Sequence, residues 1–382
     1  MNESDVNYDK EWGFAEFTFN EYQLFGNVSM VDFVGRCPVS LGVIRDTNTG
    51  RDGADRQQEV EGMRYGSGLD RVVDELRKVG GGDWERLVVR RKQDGLVTRV
   101  LSPNSAVVMA AQRGERLFEG YYEGYVRDVW EKYRREDLVV DTQNKWGVVR
   151  GRVDVGTNLL TFPIPNSPNG SGKITFGQPS AADIFSCSTG PFAFPPLPQN
   201  PTDADFDVLA FRGNVGARLA AAFNRSTLLI NPNQPAGEQI GTFYRSNSVT
   251  NHYSRVVHEN SPGGRGYAFP YDDVSRTEEE NVAGTVAAGD PKVFIVAVGG
   301  GRVNFAQALG TTGVESTVTA AAVSGGDAEK VEKRLVTGGD ESSRKSAGKV
   351  VKSEDSRGMR SGRGRVKRIR GLLRRAVGWV RG

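Results

Sequence analysis

WGFAEFTFNEYQLFGNVSMVDFVG, residues 12–35, is the stretch whose reading decides the fold. Phe14, Glu16, Thr18 and Asn20 alternate with Ala15, Phe17 and Phe19, the two-residue period of a strand with unlike faces. A second alternation follows the connection Glu21–Gly26, with Val28, Met30 and Asp32 against Ser29, Val31 and Phe33. Two such runs around a glycine-bearing connection predict an antiparallel hairpin. Pairing centred on Leu24 sets Glu16 opposite Asp32 on one face, and a one-residue slip would part them. Two carboxylates so placed repel each other, and a sheet that serves structure alone gains nothing from them.

Outward from the hairpin, a polar, turn-rich segment (residues 45–66) leads to a helix opened by Ser67, with Leu69, Val72, Val73 and Leu76 as its apolar stripe before Gly80-Gly81-Gly82. Strands are predicted over 84–91 and 97–102, and a helix over 115–137. The aromatic stripe of that helix (Phe118, Tyr121, Tyr122, Tyr125, Val129, Trp130, Tyr133) is core packing first, with a sugar-cleft role open at one end. Short strands follow at 138–142, 146–155, 158–164 and 173–176, then a helix over 205–225, a buried strand over 227–230 and a short helix over 251–259. The runs 266–274 and 292–299 close the body.

The chain has 382 residues with 37% apolar content, below the usual globular share, and its charge is unevenly spread. From Thr311 onward there are 17 Lys and Arg against 8 Asp and Glu; the first 310 residues carry 33 against 39. An acidic body argues against nucleic acid as its partner and suits a neutral polymer. The tail's Gly, Ser, Thr and Lys content predicts disorder over 311–362, and residues 363–382 read as a basic amphipathic segment fit for an anionic surface. Cys37 and Cys187 allow at most one disulfide and no zinc site, and His252 and His258 sit in no ligand pattern, so neither metal nor cofactor is expected. The start MNESDVNYDKE lacks the apolar core of a signal peptide.

EFTFN, VDFVG, YYEGYVRDVWEKY, VVDTQ, DIFSCSTGPF, ARLAAAFNRSTLL, TNHYSRVVH and GYAFPYDDV together resemble glycoside hydrolase family 64, over roughly residues 12–300. The resemblance implies an α+β chain: a thaumatin-like β-sandwich or barrel (about 12–45 and 245–300) with a mixed α/β domain (65–240), within a body ending near 310. It implies an inverting β-1,3-glucanase whose acidic cleft takes β-1,3-glucan, with Glu16 as acid, Asp32 as base, and Thr18 and Asn20 as sugar contacts. By likeness to thaumatin-like proteins, Asp272 and Asp273 line the cleft. The family carries further β-structure before its EFTFN strand. The sandwich is therefore expected to be incomplete at its N-terminus, with exposed sheet edges. An extracellular, monomeric protein is also implied.

Other residues read two ways. Phe25 forms an apolar wall beside Glu16 and a sugar contact. Asp141 and Gln143 are either a turn or part of the cleft, as Asp272 and Asp273 are, and Thr250 or Asn251 caps a helix. Two rival functions stand beside hydrolysis: a non-catalytic glucan-binding protein, and an inert scaffold for the basic tail.

Overall fold

β1 (Ala15–Phe19) and β2 (Leu24–Val28) form the expected antiparallel hairpin, but not in the register centred on Leu24. Glu16 pairs with Asn27, Thr18 with Phe25 and Phe19 with Leu24. Asn20 is the cause. Its Oδ1 accepts from Tyr22 N–H at 2.9 Å and Gln23 N–H at 3.1 Å, and its own N–H reaches Gln23 O at 3.0 Å. An Asx turn of this kind reverses the chain within four residues, so Gly26 falls inside the strand. A Cβ there would already touch Leu41 and Phe294 at 3.5 Å. Asp32 lies beyond the ladder, in the bend before β3 (Phe33–Gly35), and does not oppose Glu16.

The computed structural model describes residues 6–45, 57–167, 171–245 and 247–308. On the far side of β2 runs β13 (Thr285–Ala288), giving the order β1-β2-β13. Directly paired residues share a face. Glu16, Thr18, Phe25, Asn27, Thr285 and Ala287 therefore occupy one surface, and Phe17, Leu24, Gly26, Val286 and Ala288 the other. The second surface rests on a sheet of β14 (Pro291–Val298), β4 (Val39–Arg45) and β5 (Gln57–Val60), where Phe17 meets Phe294 at 5.4 Å. As β1 is the outermost strand of its sheet, Phe17 and Phe19 keep 62% and 69% of their surface exposed.

β3 pairs with β7 (Val97–Leu101), which carries β6 (Val88–Arg90) on its other edge. The fourth sheet runs β11 (Lys173–Phe176), β10 (Leu160–Pro163), β9 (Val148–Val153), β8 (Leu138–Asp141) and β12 (Asn233–Gln234), antiparallel except where β12 joins β8. The body is thus mixed α/β, and one apolar core runs through it.

Helices with a strong apolar stripe form where expected. α1 (Ser67–Val79) buries Leu69, Val72, Val73 and Leu76 and stops at Gly80, whose φ of 72° ends the helical path. α6 (Asp203–Arg225) opens with a reciprocal Thr202–Asp205 capping box. α7 (His252–Asn260) is capped by Asn251, which accepts from Ser254 N–H at 3.1 Å. Elsewhere tertiary context overrides the pattern. Residues 84–91 begin as α2 (Gly82–Glu85), which turns Trp84 into the core against Phe118 at 4.7 Å, leaving only Val88–Arg90 as strand. The helix expected over 115–137 is confined to α4 (Glu123–Arg135), because Phe118 and Gly120 adopt φ of 58° and 70°. α3 (Pro103–Gln112) lacks a marked apolar stripe, which hides it from periodicity; Ser102 caps it. α5 (Ala181–Ser186) and α8 (Phe305–Ala308) are short.

Residues 227–230 are a turn, buried at Thr227 and Leu228 and exposed at Ile230, not a strand. Side chains of α4 replace the missing ladder: Lys132 Nζ donates to Leu228 O and Leu229 O at 3.0 and 2.8 Å, and Tyr133 Oη to Leu228 O at 2.6 Å. Buried backbone groups must find partners somewhere. Here the partners are non-local and invisible to periodicity. The expected boundary at 310, the linker 311–362 and the basic segment 363–382 lie outside the described residues.

At the C-terminal end of α6, Arg225 is fully buried between Glu238 (3.1 Å) and Asp272 (3.2 Å). It also donates to Asp272 O at 2.9 Å and Val274 O at 2.6 Å, and lies 4.4 Å from the Phe243 ring centre. Removing one partner of a buried ion cluster strands the others. We expect Arg225→Met to lower stability in urea unfolding by about 3–5 kcal/mol; a loss within about 1 kcal/mol would show that the cluster is not holding this region.

Candidate active site

Glu16 is half-buried on the face of β1 that turns away from the second sheet. Burial pushes its carboxyl above the ordinary 4.5, the Ser29 side chain opposes this, Asp32's charge adds to it, and Asn27 opposes it again. Asp32 arrives from a different element. Its backbone oxygen accepts from Ser102 N–H at 2.8 Å and its Oδ1 from Ser105 Oγ at 3.3 Å, so the start of α3 anchors it. Two residues earlier, Tyr253 Oη on α7 donates to Met30 O at 2.5 Å. Burial raises the Asp32 carboxyl above 3.8, with the Ser105 bond opposing it. The two carboxyls thus come within electrostatic reach of each other from a strand and a bend, not as ladder partners.

The run 266–274 lies beside them. Tyr267 bridges Ser29 in parallel, receives Met30 N–H on its oxygen at 2.7 Å and returns its own N–H to Val28 O at 3.4 Å. Burial raises its phenol well above 10, as do the charges of Asp273 and Glu16. The two expected cleft aspartates part here. Asp272 is 0% exposed and does not line the site. Besides its Arg225 contacts, its Oδ2 receives Ala268 N–H at 3.0 Å and meets His258 Nε2 at 2.9 Å. Burial alone would push its carboxyl up; the His258 and Arg225 charges outweigh that and hold it below 3.8. Asp273 faces outward. It is exposed by surface area, and burial together with the charge of Asp272 raises its carboxyl. Tyr271 adopts φ 67° to make this inside–outside switch, a strained conformation for a bulky residue.

A third group, from β8 and α6, is bonded to the residues just past this run. Asp141 Oδ1 accepts from Gln143 N–H at 2.8 Å, the turn that its sequence allows. Gln143 is also expected at the cleft, but its amide is committed within the protein. Nε2 donates to Ser275 O (3.0 Å) and Arg276 O (3.2 Å), and Oε1 accepts from Arg218 Nη2 at 2.9 Å. Thr18 and Phe25 stand opposite each other on the Glu16 face, half-buried. Asn20 is exposed, with its carbonyl oxygen engaged in the hairpin turn. One hollow of about 300 Å³ is lined by Asp141 with Val139, Val148, Asn233 and Gln234. Another, of about 280 Å³, lies around Arg64, Arg71 and Ser261. Glu16 and Asp32 border neither.

Arg218, Tyr267 and Tyr253 escaped the sequence reading. A signal existed for the first, an arginine inside the apolar run ARLAAAF of α6. His252 packs edge-on against Trp84 at 5.2 Å, and burial pushes its imidazole down to about 4. Both cysteines are free thiols.

The sequence model of a protein family described as beta-1,3-glucanase, glycoside hydrolase 64, matches residues 1–298. Curated relatives include a glucan endo-1,3-beta-glucosidase of Cellulosimicrobium cellulans, 29% identical over 280 residues, and one of Arthrobacter sp. (strain YCWD3), 30% identical over 282. Each alignment covers 73% of this chain and 44% of the relative, so the chain spans less than half the length of these proteins. A crystal structure of a laminaripentaose-producing beta-1,3-glucanase in complex with laminaritetraose superposes with TM-score 0.60 and 30% identity, covering 77% of this chain and 70% of that one. A glycoside hydrolase 64 domain from Clostridium beijerinckii shares the fold at TM-score 0.54 and 21% identity, covering 78% and 66%.

Raised carboxyls have a thermodynamic signature. Stability contributed by the protonated Glu16 and Asp32 is full below their unfolded-state values and is lost as pH rises through the folded ones. At pH 7 each charge therefore weakens the fold. Glu16→Gln and Asp32→Asn should melt above the wild type at about pH 7, and the gain should vanish near about pH 3. Thermal melts at the two pH values check this; equal or lower midpoints at neutral pH would contradict it.

Proposed function

The chain belongs to glycoside hydrolase family 64, and from that premise we propose that it hydrolyses β-1,3-glucan with inversion, Glu16 acting as general acid and Asp32 as general base. The observation behind the assignment is the shared state of the two groups: both carboxyls are raised by burial, and Asp32's charge further raises Glu16. Acetal cleavage needs one carboxyl that keeps its proton and one that has lost it, and neighbouring carboxyls in a partly dry site divide those roles.

The steps follow. A glucan chain lies on the Glu16 face, with Thr18 and Phe25 beneath it. Glu16 donates its proton to the glycosidic oxygen as the C–O bond breaks and the ring gains oxocarbenium character. Asp32, held by the start of α3, takes a proton from a water that attacks the anomeric carbon from the opposite side. The Ser105 bond favours its charged form. Inverting enzymes leave ~6.5–9.5 Å between their carboxyls for that water. Asp273 and Asp141 line the acidic walls along which the chain's hydroxyls bind. A polymer of this size is met outside the cell, so the reading carries an extracellular site of action.

General acid or base assistance is worth about 10²–10⁴ in rate. Glu16→Gln and Asp32→Asn should each lower kcat on laminarin by that factor with an unchanged circular dichroism spectrum. Near-wild-type rates in both variants would remove the pair from the mechanism.

A further inference from the structure

Arg218 stands out in the polar surround because its hydrogen bonds all go to neutral groups. From the middle of α6 its Nε donates to Asp141 O at 2.7 Å, Nη1 to Asn214 O at 3.1 Å and Nη2 to Gln143 Oε1 at 2.9 Å. It is half-buried, with the charges of Asp141 and Asp273 close enough to act on it; burial pulls its guanidinium below the ordinary arginine value and those two charges oppose this. Gln143 relays the hold. Its Nε2 donates to Ser275 O and Arg276 O, two and three residues past Asp273, while its backbone sits at φ 49°, in the left-handed region. A long side chain forced onto a left-handed backbone position needs surroundings that over-determine it. Here the two ends of one amide, each bonded to a different element, do so.

We propose that Arg218 and Gln143 form a positioning clamp that fixes the turn bearing Asp141 against the loop bearing Asp273, and so sets the spacing of these two acidic groups along which the glucan binds. Arg218 touches no substrate in this account. It acts through Asp141 O and Gln143, and the charges of Asp141 and Asp273 act on it without a bond to either carboxylate. A guanidinium fits this role because its planar fork holds a main-chain oxygen and an amide oxygen in one fixed geometry, whereas the donors of an ammonium all radiate from a single atom. The clamp rests on the glucanase reading for its purpose, but not for its existence.

The test uses Arg218→Met, Gln143→Ala and the double variant, in two measurements. Hydrogen exchange of the backbone amides in 142–147 and 271–276 needs no substrate. Each single variant should speed exchange in both segments, and the double should add nothing, because both substitutions break one linkage. Kinetics on laminarin should then show KM raised about tenfold or more with kcat within about twofold, since wall spacing acts on binding and not on proton transfer. Arg218→Lys should rescue neither reading. Exchange unchanged in either segment, additive effects in the double variant, or kcat falling in step with KM would each overturn the clamp. A wild-type protein without laminarin hydrolysis would sink the glucanase reading, and exchange would still decide the clamp.

Discussion

A guanidinium buried among two carboxylates governs how this site is built. Arg225 ends the longest helix of the body with no access to water, and its charge is tolerable only because Glu238 and Asp272 meet it. That demand pulls Asp272 inward. Its neighbours must then accommodate the turn: Tyr271 takes a left-handed conformation, Asp273 is thrown outward, and Tyr267 is laid along β2 beside Ser29. Glu238 in turn holds Thr227 Oγ1 at 2.5 Å and with it the turn that follows α6. A structural ion cluster remote from the proposed chemistry thus orients the acidic surface near Glu16.

The Glu16–Asp32 pair itself is destabilising by construction. Glu16 comes from an outer strand and Asp32 from a bend tied to α3, and both are raised by burial. Nothing in packing calls for two such groups within reach of one another, and perturbed carboxyls concentrate at functional sites for that reason. The fold tolerates the strain because each is held by parts that do not depend on the other. The Asx turn of Asn20 sets the register of Glu16, while Ser102, Ser105 and Tyr253 fix the chain around Asp32.

The hairpin and the helices with strong stripes, such as α1 and α7, are legible because their patterns are local. The hairpin's register is not. Gly26 has the look of a turn residue, whereas the reversal belongs to Asn20, and Gly26 sits inside β2 against Leu41 and Phe294. The nearness of Glu16 to Asp32 is expected on the wrong ground, as ladder partners. Adjacent Asp272 and Asp273 cannot be told apart by any period, because what separates them is Arg225, almost fifty residues away in the chain. The bonds of Gln143 are hidden from the sequence for a similar cause: its partners, Arg218, Ser275 and Arg276, are all distant in sequence. Local chemistry is readable, and side chains recruited by tertiary contacts are not.

The most direct test of the central claim is the configuration of the sugar first released from laminarin, followed by proton NMR before mutarotation. A water activated by Asp32 on the face opposite Glu16's leaving group must yield the α-anomer from a β-1,3 linkage. Initial release of the β-anomer would mean that a carboxylate attacks the sugar directly, and would contradict the acid–base assignment of Glu16 and Asp32.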